Sequence, residues 1–167
     1  DTALEHKMMD KFMKESLKLW SEQYGIDAFR FDIMSHGSKQ QMLEALAAVQ
    51  TIDEDVHFYG EGWDRADRGF EQANQFNMAS TEIGTFNDRL RDAVRSAQLF
   101  SDKESEDGPF IQQDLIKLGL AGSLADYVLK NYKGTAVAGS SFSPAMYAKD
   151  PADVINYVSK HDNESLW

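Results

Sequence analysis

Cysteine is absent from the chain, so neither a disulfide nor a thiolate metal site is available. That absence leaves the compartment open. No run of about eighteen apolar residues occurs, which excludes a helical membrane span. Positive charge is scarce: 17 Lys and Arg face 28 Asp and Glu, for a net charge of −11. Such a surface repels phosphate backbones and speaks against a nucleic-acid partner. It fits a neutral substrate without demanding one. The chain opens on Asp1 with neither Met nor a charged-then-apolar leader. We therefore expect a piece of a longer protein, whose own termini say nothing about targeting. What is present is ample: 167 residues, 42% of them hydrophobic, suffice for the core of one domain and are too apolar for disorder.

The spacing of apolar residues predicts an amphipathic helix over 3–24, with Leu4, Met8, Met9, Phe12, Met13, Leu17 and Trp20 on one side. Gly25 is its natural stop, because glycine takes the left-handed conformation without a Cβ clash. The run 26–33 reads as a strand between Gly25 and Ser35-His36-Gly37. A second helix is expected over 38–50, with Met42, Leu43, Leu46, Ala47 and Val49 inward. After the acidic turn Asp53-Glu54-Asp55, a strand over 56–59 breaks into Gly60-Glu61-Gly62-Trp63. Residues 64–82 read as a long loop and 83–86 as a short strand. Asn87 would cap a helix over 88–97 that turns Leu90 and Val94 inward. An acidic loop over 101–109, a helix over 110–131, a loop over 132–152 and a strand over 154–158 complete the reading. Alternating strands and helices imply βαβ crossovers and a parallel sheet, either doubly wound or closed as a β/α barrel.

Three carboxylates then stand out. Asp32, Glu61 and Asp162 each lie at the C-terminal end of an expected strand. In a parallel barrel all such ends meet on one face, where active sites are built. Strand alternation places Arg30 on the side of Asp32 and turns Phe29 and Phe31 the other way. An Arg two residues from an Asp holds that carboxylate ionised and oriented, which suits a nucleophile. Tyr59 and Trp63 flank Glu61, and desolvation by rings favours the protonated form that a proton donor needs. Two carboxyl groups in such contrasting settings are what glycoside hydrolysis requires. Each element alone has a plainer reading: a strand-end Asp is commonly a turn or cap, a Trp packs, and an Arg–Asp pair is structural. Their joint occurrence points to chemistry.

The segments that hold these residues have a family likeness. Gly25-Ile26-Asp27-Ala28-Phe29-Arg30-Phe31-Asp32-Ile33-Met34-Ser35-His36 resembles the second signature region of the α-amylase superfamily of glycoside hydrolases. Tyr59-Gly60-Glu61-Gly62-Trp63 resembles the third region in its pullulanase and limit-dextrinase form. The stretch 156–167, with Lys160-His161-Asp162-Asn163, resembles the fourth, and 83–95 looks like a further pullulanase segment. Ser35 stands where relatives often carry Gly. The resemblance implies part of a (β/α)8 TIM barrel, roughly strands 4 to 7, with strands 1 to 3 and the last one missing along with the first signature region. It implies hydrolysis of α-1,6-glucosidic links in pullulan and branched dextrins, through a covalent glycosyl-enzyme with retention. It assigns Asp32 as nucleophile, Glu61 as general acid/base and Asp162 as the stabiliser of the oxocarbenium-like transition state. Arg30 would orient Asp32, while His36, His161, Asn163 and Trp63 would line the sugar. An α-glucan and the missing barrel segments are the partners it implies. It implies no cofactor, leaves calcium unassigned, and suggests an extracellular, cell-surface or periplasmic setting. An open part-barrel leaves unpaired edges, so the chain alone is expected to be inactive. Other superfamily enzymes (an isoamylase, an α-amylase or a transglycosidase) and a non-catalytic glucan-binding module are the alternatives.

Overall fold

The computed structural model describes residues 3–64, 69–96 and 107–162. The chain divides into two units, residues 1–85 and 86–167. The acidic segment 101–106 and Asn163 lie outside the described residues.

In the first unit, α1 (Lys7–Tyr24) begins later than the apolar pattern suggests, and His6 precedes it without a side-chain cap. Gly25 ends it with φ 64°, its N–H donating to the Ser21 carbonyl. The expected apolar stripe divides. Met13 and Leu17 pack on the core, whereas Met8 is 77% and Phe12 66% exposed. Strand β1 (Ala28–Phe31) leads through a 3-10 turn at Met34–His36 to α2 (Lys39–Gln50). Ser38 starts α2 with a capping box: its hydroxyl accepts from the Gln41 N–H, and the Gln41 side chain accepts from the Ser38 N–H. Met42, Ala45, Leu46 and Val49 are its buried residues, spaced at three and four. Ala45 therefore takes the inward place expected of Ala47, which is exposed.

Strand β2 (His57–Gly60) pairs in parallel with β1, Arg30 opposite Tyr59 and Phe31 opposite Gly60. Strand β3 (Ile83–Phe86) pairs in parallel with β2, Gly60 opposite Thr85. The helix between β1 and β2 makes this a βαβ arrangement, as the alternation predicts. Phe58 is fully buried, with Phe29 at 5.6 Å and Phe31 at 5.0 Å between ring centroids. Both phenylalanines thus join the core side of the sheet, which leaves Arg30 and Asp32 to the other. A further correction falls in this unit. The expected loop over 64–82 contains a single helical turn, α3 (Gln75–Met78), because Asn74 and Asn77 exchange side-chain-to-backbone hydrogen bonds in a second capping box.

The second unit departs further from the sequence reading. Helix α4 (Asp88–Arg95) is capped by Asn87, as expected, with Leu90 and Ala93 buried. Helix α5 spans Gly108–Leu120, with Pro109 in its first turn. It stops well short of residue 131, since Gly122 and Ser123 take left-handed conformations at φ 86° and φ 50°. Where more helix and then loop were expected, β4 (Val128–Lys130) and β5 (Ala136–Ala138) form an antiparallel hairpin. Asn131 shapes its turn by accepting from the Lys133 and Thr135 N–H groups. Strand β6 is only Val154–Ile155, shorter than the expected 154–158. The overall class is mixed α/β with a parallel sheet and helices. The hairpin is the exception to the expected alternation. Among the described residues no helix is long and apolar enough to cross a membrane.

Candidate active site

The parallel register of β1 and β2 brings Arg30, Asp32 and Glu61 together. Arg30 Nη1 donates to Asp32 Oδ1 at 2.5 Å, and Nη2 donates to Glu61 Oε1 at 3.0 Å. One guanidinium therefore spans both carboxylates at the C-terminal ends of adjacent strands. The two acids differ sharply in setting: the Asp32 side chain is 68% exposed and that of Glu61 5%. The sequence anticipates Arg30 beside Asp32. It does not anticipate the second arm of the fork, in which Glu61 is buried against a cation and a backbone donor.

That backbone donor is the N–H of Ile33, which meets Glu61 Oε2 at 3.0 Å. Ile33 has φ 41°, a left-handed conformation that strains a β-branched residue. The turn directs its N–H at the carboxylate. The next residue, Met34, donates its N–H to the Glu61 carbonyl at 2.8 Å. Glu61 in turn donates its N–H to the Phe31 carbonyl at 3.0 Å, so the strand ends stay tied beyond the sheet. Residues 71–73 brace the turn from outside. Gln72 Nε2 donates to the Ser35 carbonyl at 2.7 Å, and Ala73 N–H to the Gly37 carbonyl at 3.0 Å.

Glycine is required twice beside Glu61. A Cβ on Gly60 would fall 2.4 Å from the Phe31 carbonyl oxygen, and one on Gly62 2.7 Å from Thr85 Cγ2. The Gly-Glu-Gly pattern thus reflects close strand packing. His36 ends the 3-10 turn after Asp32 and Trp63 follows Gly62; both are partly buried.

Asp162 belongs to the second unit, where two preceding residues contact it. Lys160 Nζ lies 2.8 Å from Asp162 Oδ2, and His161 Nε2 lies 3.6 Å from the same oxygen. The His161 side chain is 68% exposed and that of Asp162 51%. Lys160 is the partner that sequence reasoning did not single out, although its position two residues before an acid is the same signal that singled out Arg30. Among the described residues no group of acids and histidines is arranged to hold a metal ion.

Comparison with known proteins decides the family. The chain is 42% identical to pullulanase of Klebsiella aerogenes over its whole length, which is 18% of that protein. This is a pullulanase-type chain. The similarity extends to pullulanase 1 of the Arabidopsis thaliana chloroplast, at 34% identity over the whole chain and 21% of the relative. A crystal structure of Klebsiella pneumoniae pullulanase complexed with maltotriose superimposes with a TM-score of 0.92 at 42% identity, covering all of this chain and 18% of that one. No protein-family model matches. The chain spans about a fifth of the length of the pullulanases it resembles.

Proposed function

We propose that this chain forms part of the (β/α)8 catalytic barrel of a debranching glycoside hydrolase, roughly strands 4 to 7. The intact enzyme cleaves α-1,6-glucosidic links in pullulan and branched dextrins with retention of configuration. The observation that carries the reading is the Arg30 fork across Asp32 and Glu61 at neighbouring strand ends, within a chain of pullulanase type. A single guanidinium touching both acids keeps them close, compatible with the roughly 5–5.5 Å that retention requires. Asp32, exposed and oriented by its hydrogen bond from Arg30, attacks the anomeric carbon. Glu61, shielded from solvent, protonates the leaving glycosidic oxygen. Its carboxylate then takes a proton from the water that opens the glycosyl-enzyme. Asp162 binds sugar hydroxyls and offsets the positive charge that develops on the ring, with His36, His161, Asn163 and Trp63 lining the glucan. The maltotriose bound to the Klebsiella pneumoniae relative supports an α-glucan ligand. No cofactor enters these steps.

The exposed apolar residues of α1, Met8 and Phe12, suit burial beneath other elements of such a barrel. The chain alone is accordingly expected to leave pullulan intact. The deciding experiment replaces Glu61 by Gln in the intact protein and follows release of reducing ends from α-1,6- and α-1,4-linked substrates. Debranching is expected to fall by about two to four orders of magnitude. A rate near that of the wild type would remove Glu61 from the role of acid.

A further inference from the structure

The second unit holds a polar cluster that the carboxylate chemistry leaves unused. Asn87 is fully buried, and its amide is saturated with partners. Its Oδ1 accepts from the Leu90 N–H at 3.3 Å and from Ser123 Oγ at 2.9 Å. Its Nδ2 donates to Asn156 Oδ1 at 2.7 Å and to the Gly119 carbonyl at 3.4 Å. The Asn87 backbone N–H donates to the Ile155 carbonyl at 3.0 Å. A helix cap needs only the first of these bonds. The bonds to Asn156 and Ile155 tie the end of β6 to the start of α4, and those to Ser123 and Gly119 tie the C-terminal end of α5 to the same point.

The grip continues one residue on. Arg91 Nη1 donates to the Tyr157 hydroxyl at 2.7 Å, and its guanidinium lies 5.7 Å from that ring. Phe86 meets the same ring edge-on at 5.1 Å. Burial raises the Tyr157 hydroxyl above its ordinary range against the opposing pull of Arg91, so it stays a neutral phenol near pH 7. Lys160 Nζ sits 5.0 Å from the Phe86 ring and 2.8 Å from Asp162 Oδ2. Strand β6 has only the residues Val154 and Ile155, so ladder hydrogen bonds cannot hold 156–162 in place. Side-chain contacts therefore help to set the aim of a half-exposed Asp162.

We propose that Phe86, Asn87 and Arg91 form a clamp, acting through Asn156, Tyr157 and Lys160, that positions the segment bearing His161 and Asp162 for reaction. The clamp's consequence for rate rests on the glycosidase reading above. Its existence does not.

The test uses three variants of the intact protein: Asn156→Ala, Asn156→Asp and Tyr157→Phe. Asn156 is exposed, and phenylalanine keeps the Tyr157 ring, so folding should survive. Asn156→Asp preserves an acceptor for the Asn87 amide, whereas Asn156→Ala removes it. Two readouts are taken, kcat against KM on an α-1,6 substrate and amide hydrogen exchange over 158–162. Asn156→Ala and Tyr157→Phe should each lower kcat about tenfold with KM little changed, and speed exchange about tenfold. Asn156→Asp should stay within about twofold of wild type on both. Exchange that is equal in Asn156→Ala and wild type would overturn the clamp. Faster exchange with kcat unchanged, in an active enzyme, would overturn its positioning role. A wild type without glycosidase activity would refute the functional reading, and the exchange series would still decide whether the clamp is there.

Discussion

Replacing Arg30 with Met tests whether the guanidinium fork holds the candidate site together. Methionine keeps most of the apolar stem and deletes both charged hydrogen bonds. Their values differ. The arm to Asp32 reaches a side chain that is 68% exposed, and such a pair is worth less than about 1 kcal/mol. The arm to Glu61 reaches a carboxylate only 5% exposed, while Arg30 itself is 26% exposed. Breaking a fully buried pair costs about 3–5 kcal/mol, and the partial exposure of Arg30 brings that to about 2–3 kcal/mol. The loss falls where Ile33 N–H donates to Glu61 Oε2 and Met34 N–H to the Glu61 carbonyl. Native-state hydrogen exchange at those two amides in the intact protein reads the local opening free energy directly. Arg30→Met should lower it by about 2–3 kcal/mol. The double variant Arg30→Met with Glu61→Gln should recover at least about 1 kcal/mol, because a neutral amide does not need the cation. A single variant within about 0.5 kcal/mol of wild type, or a double variant that costs the full sum, would show that Arg30 is not what holds Glu61.

Three further outcomes follow from the same structure. Gly60→Ala sets a Cβ 2.4 Å from the Phe31 carbonyl oxygen, a backbone atom that cannot swing away; calorimetry should show a loss of at least about 2 kcal/mol, and no loss would mean the β1–β2 register is wrong. Ser35→Ala removes a fully buried hydroxyl that has no hydrogen-bond partner; it should leave the denaturation midpoint unchanged or raise stability by about 1 kcal/mol, and a clear loss would show a bound partner at that site. Lys14 bridges Asp10 at 2.8 Å and Glu44 at 2.7 Å, joining α1 to α2. Its hydrogen bond, with one from Gln40, holds the Glu44 carboxyl below its ordinary value. The folded value is the lower one, so this contribution is present above the unfolded carboxylate range and is lost as pH falls through it. Glu44 is half exposed, so the effect is under about 1 kcal/mol. The stability difference between wild type and Lys14→Met should therefore shrink on acidification below about pH 4, and a difference that grows there would refute the pairing.

How much of the fold could be read in advance depended on how local its causes are. Gly25 and Asn87 act within a turn of their own position, and each stops or starts the helix that its residue type predicts. The parallel pairing of 28–31, 57–60 and 83–86 follows from alternation with helices. The errors arise where a local preference competes with a nearby one. Residues 110–131 have helical composition, yet Gly122 and Ser123 turn the chain left-handed, and β4 then pairs with β5 across a turn fixed by Asn131. The Asn74–Asn77 exchange that makes α3 is equally local, but such short reciprocal bonds leave no periodic trace in the sequence.

The candidate site divides along the same line. Arg30 beside Asp32 is legible because two residues of strand bring both to one face. Glu61 at the other arm of the fork is a matter of register: Arg30 pairs with Tyr59, so a residue two places further along β2 arrives level with Asp32. Register is set by the core side of the sheet. Phe58 lies against Phe29 and Phe31, and a slip of one residue would carry Phe58 out of the core and Glu61 away from the guanidinium together. The aromatic packing and the carboxylate pair are therefore one constraint seen from the two faces of a sheet. A substitution that loosens the phenylalanines should disturb Glu61 without touching it, and that coupling explains why a site that sets a buried carboxylate beside an exposed one needs so apolar a foundation.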